Sequence, residues 1–183
     1  MNKKENQRIM LTKRLLKESL LRLMKKKSIH EISIRELCID AGINRATFYA
    51  HYDTEYDLLH EIESDTIDEM HKLIAKSEGD TDLLCDRVEI VCRYLKTHSE
   101  TTKILFANNL PESDFAIALF GNDVARNVLR KKYLERFGDD GVDLIMSYLT
   151  NGTYNMIRYW LLNDITKTPK EMGQIVNELL TVF

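Results

Sequence analysis

Twenty residues, Ser33 to Tyr52, restrict what this 183-residue chain can fold into more than any other stretch. They read SIRELCIDAGINRATFYAHY. Ser33 with Glu36 three residues later has the form of a capping box, in which two side chains satisfy amides left unpaired at a helix start. The helix it opens is predicted over Ile34 to Ala41, burying Leu37 and the small Cys38. Gly42 stands where the chain must leave that helix in a left-handed conformation, which glycine adopts without steric cost. Ile43 plugs the turn, and Asn44 caps a second helix from Arg45 to Tyr52. Phe48 faces inward from it, while Arg45, Thr47, Tyr49 and His51 fall on other sides. Helix, glycine turn and capped helix make a helix-turn-helix, motif 33–52, whose second helix fits a DNA major groove.

Charge supports a phosphate-facing role for the same region. Residues 1–52 hold 12 Lys and Arg against 5 Asp and Glu, a balance of +7, whereas residues 53–183 hold 14 against 24, a balance of −10. A basic module on an acidic body suits a chain with one face toward a polyanion. Charge alone is equally served by a solvated lysine-rich helix face, and the motif decides between them.

The rest of the chain reads as helices. With 7 Gly and 2 Pro there are few turn signals, so an all-α fold of about nine helices is expected. Arg8 to Lys27 carries apolar residues at 9, 16, 20, 23 and 24, one face of a 3.6-residue period, with Lys25, Lys26 and Lys27 in its last turn. A long helix is predicted from Thr54 to Ser77, then a linker at 77–82, a helix from Leu83 to Lys96 and a short one from Thr101 to Ala107. After NNLPES come a helix from Asp114 to Phe137, a turn at Gly138 to Gly141 and an apolar helix from Val142 to Asn163. The last helix has Thr168 as its cap, Pro169 at its first position and Glu171 to complete a capping box. The division is 1–53 for a three-helix DNA-binding domain and 54–183 for a helical regulatory and dimerisation domain. The last two helices have more apolar surface than a small body needs, so they are expected to pair with their copies in a homodimer.

The stretch from Leu11 to Leu59 closely resembles the N-terminal domain of the tetracycline-repressor (TetR) family. The resemblance is carried by ISIRELCIDAGINRATFYAHY and by Asp57 to Leu59, with Ala41, Gly42, Ile43, Asn44, Thr47, Phe48, Tyr49, His51 and Tyr52 following the family's order. It implies base-edge contacts from Arg45 and Thr47, phosphate contacts from Tyr49 and His51, and backbone contacts from Ser33 and Arg35. Asn44 caps the recognition helix, and Tyr52 either joins this DNA-facing set or packs the small domain. One departure matters: the family commonly has a lysine early in the fourth helix, where this chain has Glu55. NGTYNMIRYWLLND with TPKEM similarly resembles the Firmicutes-type C-terminal domain of such regulators. That resemblance implies dimerisation and a small-molecule pocket, for which Tyr94, Phe106, Phe115, Phe120, Met146, Tyr148, Met156 and Trp160 are the aromatic or soft candidates; plain core packing explains each of them as well.

Enzymatic signatures are lacking. There is no glycine-rich phosphate loop and no GxSxG, and His60, His71, Glu61 and Glu63 do not follow a metal-ligand spacing. Cys38, Cys85 and Cys92 form no CxxC pair, which fits free thiols in a cytoplasmic protein. No window approaches eighteen apolar residues, and the N-terminus does not read as a secretory signal. The expectation is a ligand-responsive, homodimeric transcriptional repressor without cofactor or metal, binding a near-palindromic operator. The alternative is a TetR-like co-regulator that acts through another protein or a small ligand.

Overall fold

The computed structural model describes residues 3–77, 84–108 and 123–182. Among them are eight α-helices, one 3-10 turn and no strand. The helices are α1 (Lys3–Met24), α2 (Ile34–Ala41), α3 (Arg45–Tyr49), α4 (Glu55–Ser77), α5 (Leu84–Thr97), α6 (Ser99–Ala107), α7 (Asp123–Leu162) and α8 (Pro169–Val182). The chain divides into two compact units after Asp65, inside α4. No helix among the described residues is long and apolar enough to cross a membrane.

In the first unit, α1 buries Leu16, Leu20, Leu23 and Met24. That is the stripe the periodicity predicts. The helix nevertheless stops at Met24, ahead of the lysine run, because its last amides tighten: Lys26 N–H bonds to the Leu23 carbonyl (2.9 Å), three residues back. Lys27 is drawn off to the Glu36 carboxylate (2.6 Å) and the Glu31 carbonyl (3.0 Å). A 3-10 turn, Ile29–Glu31, follows and is not foreshadowed by any period in the sequence. It places Ile29 in the core, where Ile32, Leu37, Phe48, Leu58 and Leu59 are also buried.

The core of the second unit is built from α5, α6, α7 and α8 with the far end of α4. Met70, Val91, Cys92, Leu95, Phe106, Ile157, Trp160, Met172 and Val176 are all buried in it. The Trp160 indole N–H donates to the Lys167 carbonyl (2.9 Å), so the ring is buried without losing its polar partner. α7 is broken at Gly138 (φ 68, ψ −178), the turn expected between two helices. A smaller cluster, Tyr133 and Val142 with Ile145, Met146 and Leu149, packs around that break. The capping box predicted for α8 is present: Glu171 N–H donates to Thr168 Oγ1 (3.2 Å), and Thr168 N–H donates to the Glu171 carboxylate (2.7 Å).

Candidate nucleic-acid interface

The helix-turn-helix is held by its own caps. Ser33 Oγ accepts from Glu36 N–H (3.2 Å), opening α2. The carboxylate of Glu36 turns to Lys27 instead of closing the box. Gly42 adopts φ 66, ψ 29, and the Ile43 amide reaches back to the Cys38 carbonyl (2.9 Å). That five-residue return is the Schellman closure of a helix end. Asn44 Oδ1 then accepts from Ala46 N–H (2.8 Å) to start α3.

The recognition helix is shorter than the expected Arg45 to Tyr52. It ends at Tyr49, and a turn carries His51 and Tyr52, both of whose amides bond to the Phe48 carbonyl (2.9 and 3.0 Å). Phe48 is fully buried and anchors the helix, with Tyr49 edge-on to its ring at 5.6 Å.

Polar bonds fasten this motif to α1. Ser19 is fully buried and donates to the Asp40 carboxylate (2.6 Å), which Arg22 also engages (2.7 Å). Those bonds, the serine's first, hold the Asp40 carboxyl below its ordinary range. A second set ties α1 to α4. Lys13 and Lys17 both reach Glu61 (2.8 and 2.6 Å), and Lys17 also reaches Asp65 (2.5 Å). Partial burial opposes ionisation of Glu61, but the two lysines outweigh it and bring its pKa down to about 2.

Of the residues expected to face DNA, Ser33, Arg35, Asn44, Arg45 and Tyr49 are exposed, and Thr47 and His51 are half-buried. Arg35 and Arg45 have no salt bridge among the described residues, whereas Lys13, Lys17, Arg22 and Lys27 are all engaged. Tyr52 is the exception. It is 5% exposed, with its ring against Phe48 and the Lys13 ammonium over its face at 5.3 Å. Burial, the largest cause, pushes its phenol well up, and at that exposure Tyr52 packs the unit instead of facing outward.

The start of α4 is acidic in function as well as in sequence. The Asp57 carboxylate accepts from Asp53 N–H (3.1 Å), Thr54 N–H (2.8 Å) and the Thr54 hydroxyl (3.0 Å). These bonds hold Asp57 below the usual carboxylate range, the Thr54 amide contributing most. The T-x-x-D spacing at 54–57 is the local capping pattern that marks this helix start in the sequence. Beside it the Tyr56 hydroxyl is hydrogen-bonded to His30 Nδ1, a pair with no local sequence signal because 26 residues separate its members.

Four of the pocket candidates share one buried cluster, and the other two described ones lie elsewhere. Tyr94, Phe106 and Trp160 are buried in the main core of the second unit, with Met156 packed against it. Met146 belongs to the cluster around Tyr133, and Tyr148 is 66% exposed. Phe115 and Phe120 lie outside the described residues. The Tyr94 hydroxyl is taken by Glu69 (2.6 Å), as expected of a buried phenol. Among the described residues no three His, Cys, Asp or Glu side chains gather as metal ligands.

Comparison with known proteins agrees with this architecture. Residues 84–182 match the TetR family model described as a transcriptional regulator C-terminal region. The chain is 25% identical over 171 residues to the uncharacterised HTH-type transcriptional regulator YxbF of Bacillus subtilis (strain 168), covering 91% of this chain and 44% of the relative. It therefore spans less than half the length of that relative. Two solved structures share the fold. The dihydroxyacetone kinase operon activator DhaS superposes with a TM-score of 0.57 at 17% identity, over 94% of this chain and 96% of that one. The fatty acid degradation regulator FadR from Bacillus halodurans superposes with a TM-score of 0.60 at 13% identity, over 91% and 96%.

Proposed function

We propose, from the premise that this chain belongs to the TetR family of transcriptional regulators, that it is a ligand-responsive repressor binding a near-palindromic operator as a homodimer. The observation that carries the reading is α3: a helix set by a left-handed glycine and an asparagine cap, with Arg45 and Tyr49 exposed, Thr47 half-exposed and Arg45 without a salt bridge among the described residues. An unengaged guanidinium there suits bidentate pairing with guanine, while Tyr49, His51, Ser33 and Arg35 meet phosphates and set register. Two copies would place their recognition helices in successive major grooves, about 34–36 Å apart.

Pairing of the subunits is supported by α7 and α8. Leu144 (72% exposed), Tyr148 and Tyr159 (63%) recur along one face of α7, and Leu179 is half-exposed on α8. Apolar side chains at that spacing favour a matching helix pair from a second subunit. An effector bound in the body would act by preferring a dimer whose heads are misplaced for DNA, since only differential affinity shifts such an equilibrium.

The test is a mobility shift against DNA upstream of its own gene at two salt concentrations, with sedimentation to give the oligomeric state. Salt-sensitive, sequence-specific binding by a dimer is the expected result. The second reading, a co-regulator acting through another protein or a small ligand, is favoured by the start of α4, where Glu55 stands in place of the family's usual lysine and Asp57 takes the Thr54 amide. Binding that is absent or indifferent to sequence would favour it.

A further inference from the structure

We propose that His30 and Tyr56 form a clamp for a DNA backbone phosphate at the edge of each half-site, replacing the contact that the first turn of α4 has given up. The inference rests on the DNA-binding reading above. A helix start normally attracts phosphate through free amides and a positive dipole end. Here the Asp53 and Thr54 amides already donate to Asp57, and Asp53 and Glu55 add two further carboxylates in the same stretch. Lys27, the cation that precedes His30 in sequence, is engaged by Glu36 and by the Glu31 carbonyl.

Tyr56 escapes that acidity by direction. Side chains advance roughly 100° per residue around a helix, so Tyr56 leaves α4 well away from both Glu55 and Asp57. It meets His30, which comes from the 3-10 turn three residues ahead of the Ser33 cap of α2. The ring centroids are 5.8 Å apart at 48°. The pair thus bridges the start of α4 and the approach to α2, and the first helix of a helix-turn-helix is the one that crosses the DNA backbone. His30 is exposed and Tyr56 half-exposed, and each fixes the orientation of the other's ring. In the tautomer whose Nδ1 accepts from the hydroxyl, Nε2–H is the pair's free donor, and Tyr56 serves to hold the ring that carries it. One neutral donor on a held ring meets a phosphate oxygen without drawing Asp53, Glu55 or Asp57 into a competing ion pair.

The experiment uses fluorescence anisotropy with the full chain and a duplex that it selects from a random library. Tyr56→Phe and His30→Gln are expected to weaken binding about five- to tenfold on selected and unselected duplexes alike, leaving the preference between them unchanged. Methylphosphonate scanning then locates the oxygen. One neutralised phosphate per half-site should weaken the unaltered protein, and on that duplex Tyr56→Phe should cost nothing further. Equal affinity of both variants and the unaltered protein would overturn the clamp, as would losses that add at every phosphate. Tyr56→Phe removes one exposed hydroxyl and should melt with the unaltered protein; a lower melting point would make the pair a structural brace and also reject the clamp. If the unaltered protein selects no duplex, the regulator reading falls as well. If it selects one whose recognition depends on Arg45 but not on Tyr56, the clamp alone falls.

Discussion

In the first unit the side chains expected to meet a ligand, Tyr52 excepted, stand outside the core, whereas in the second most of the described candidates are part of it. Arg45, Tyr49 and Arg35 are exposed around a buried Phe48, so the residues proposed to read DNA are not those that fold the unit. Phe106 and Trp160, picked out because aromatic side chains can line a pocket, are 1% and 3% exposed among Met172, Val176 and Leu95. A duplex is read from outside a rigid surface, and polar residues suffice for that. A small effector must be enclosed, and enclosure uses the same apolar residue types as packing.

The sharpest way to break this contrast is to truncate on both sides of it. Phe106→Ala and Trp160→Ala should each destabilise the chain by about 3–5 kcal/mol, read by denaturant unfolding. A loss below about 1 kcal/mol for either would mean the ring lines a cavity instead of filling the core. Arg45→Ala should leave unfolding unchanged and cost about 1–3 kcal/mol in operator binding, with relaxed preference at one position per half-site. Unaltered selectivity would remove that residue from the reading surface. Gly42→Ala meets no neighbouring atom, since nothing lies within 4 Å of the added carbon. Its penalty of about 1–2 kcal/mol comes only from the left-handed backbone, and the same substitution with no loss would show that the turn relaxes.

The smallest effect sharpens the contrast through pH. Glu61 titrates at about 2 in the folded chain against about 4.3 in an unfolded one, so its folded pKa is depressed. The stability it contributes is present above the unfolded value and is lost as the pH falls from there toward 2. Glu61→Gln should flatten the acid side of the first unit's stability curve in that window, monitored by Tyr fluorescence or amide exchange. An unchanged slope would assign the acid sensitivity to Asp40 or Asp57, which are also held low.

The head was largely legible because its signals are local. A cap, a glycine and a second cap fall within twelve residues, and each bond they form spans five or fewer. Thr168 and Glu171 were legible for the same reason. What escaped was long-range. Lys17 meets Asp65 across 48 residues and His30 meets Tyr56 across 26, and no spacing rule reaches that far. The extent of α3 escaped too: Ala50 and His51 continue the chain in a turn that tertiary packing of Tyr52 stabilises, whatever their helical propensity.

From residue order alone came the helical class, the glycine-hinged motif, the basic head and the acidic body, since period, cap chemistry and formal charge belong to neighbouring residues. Only the folded chain decided which lysines are spent on Glu61 and Glu36, that Tyr52 is interior, and that Asp57 closes the start of α4. Burial and pairing depend on groups brought together from distant parts of the chain, and their free energies exist only once that approach has been made.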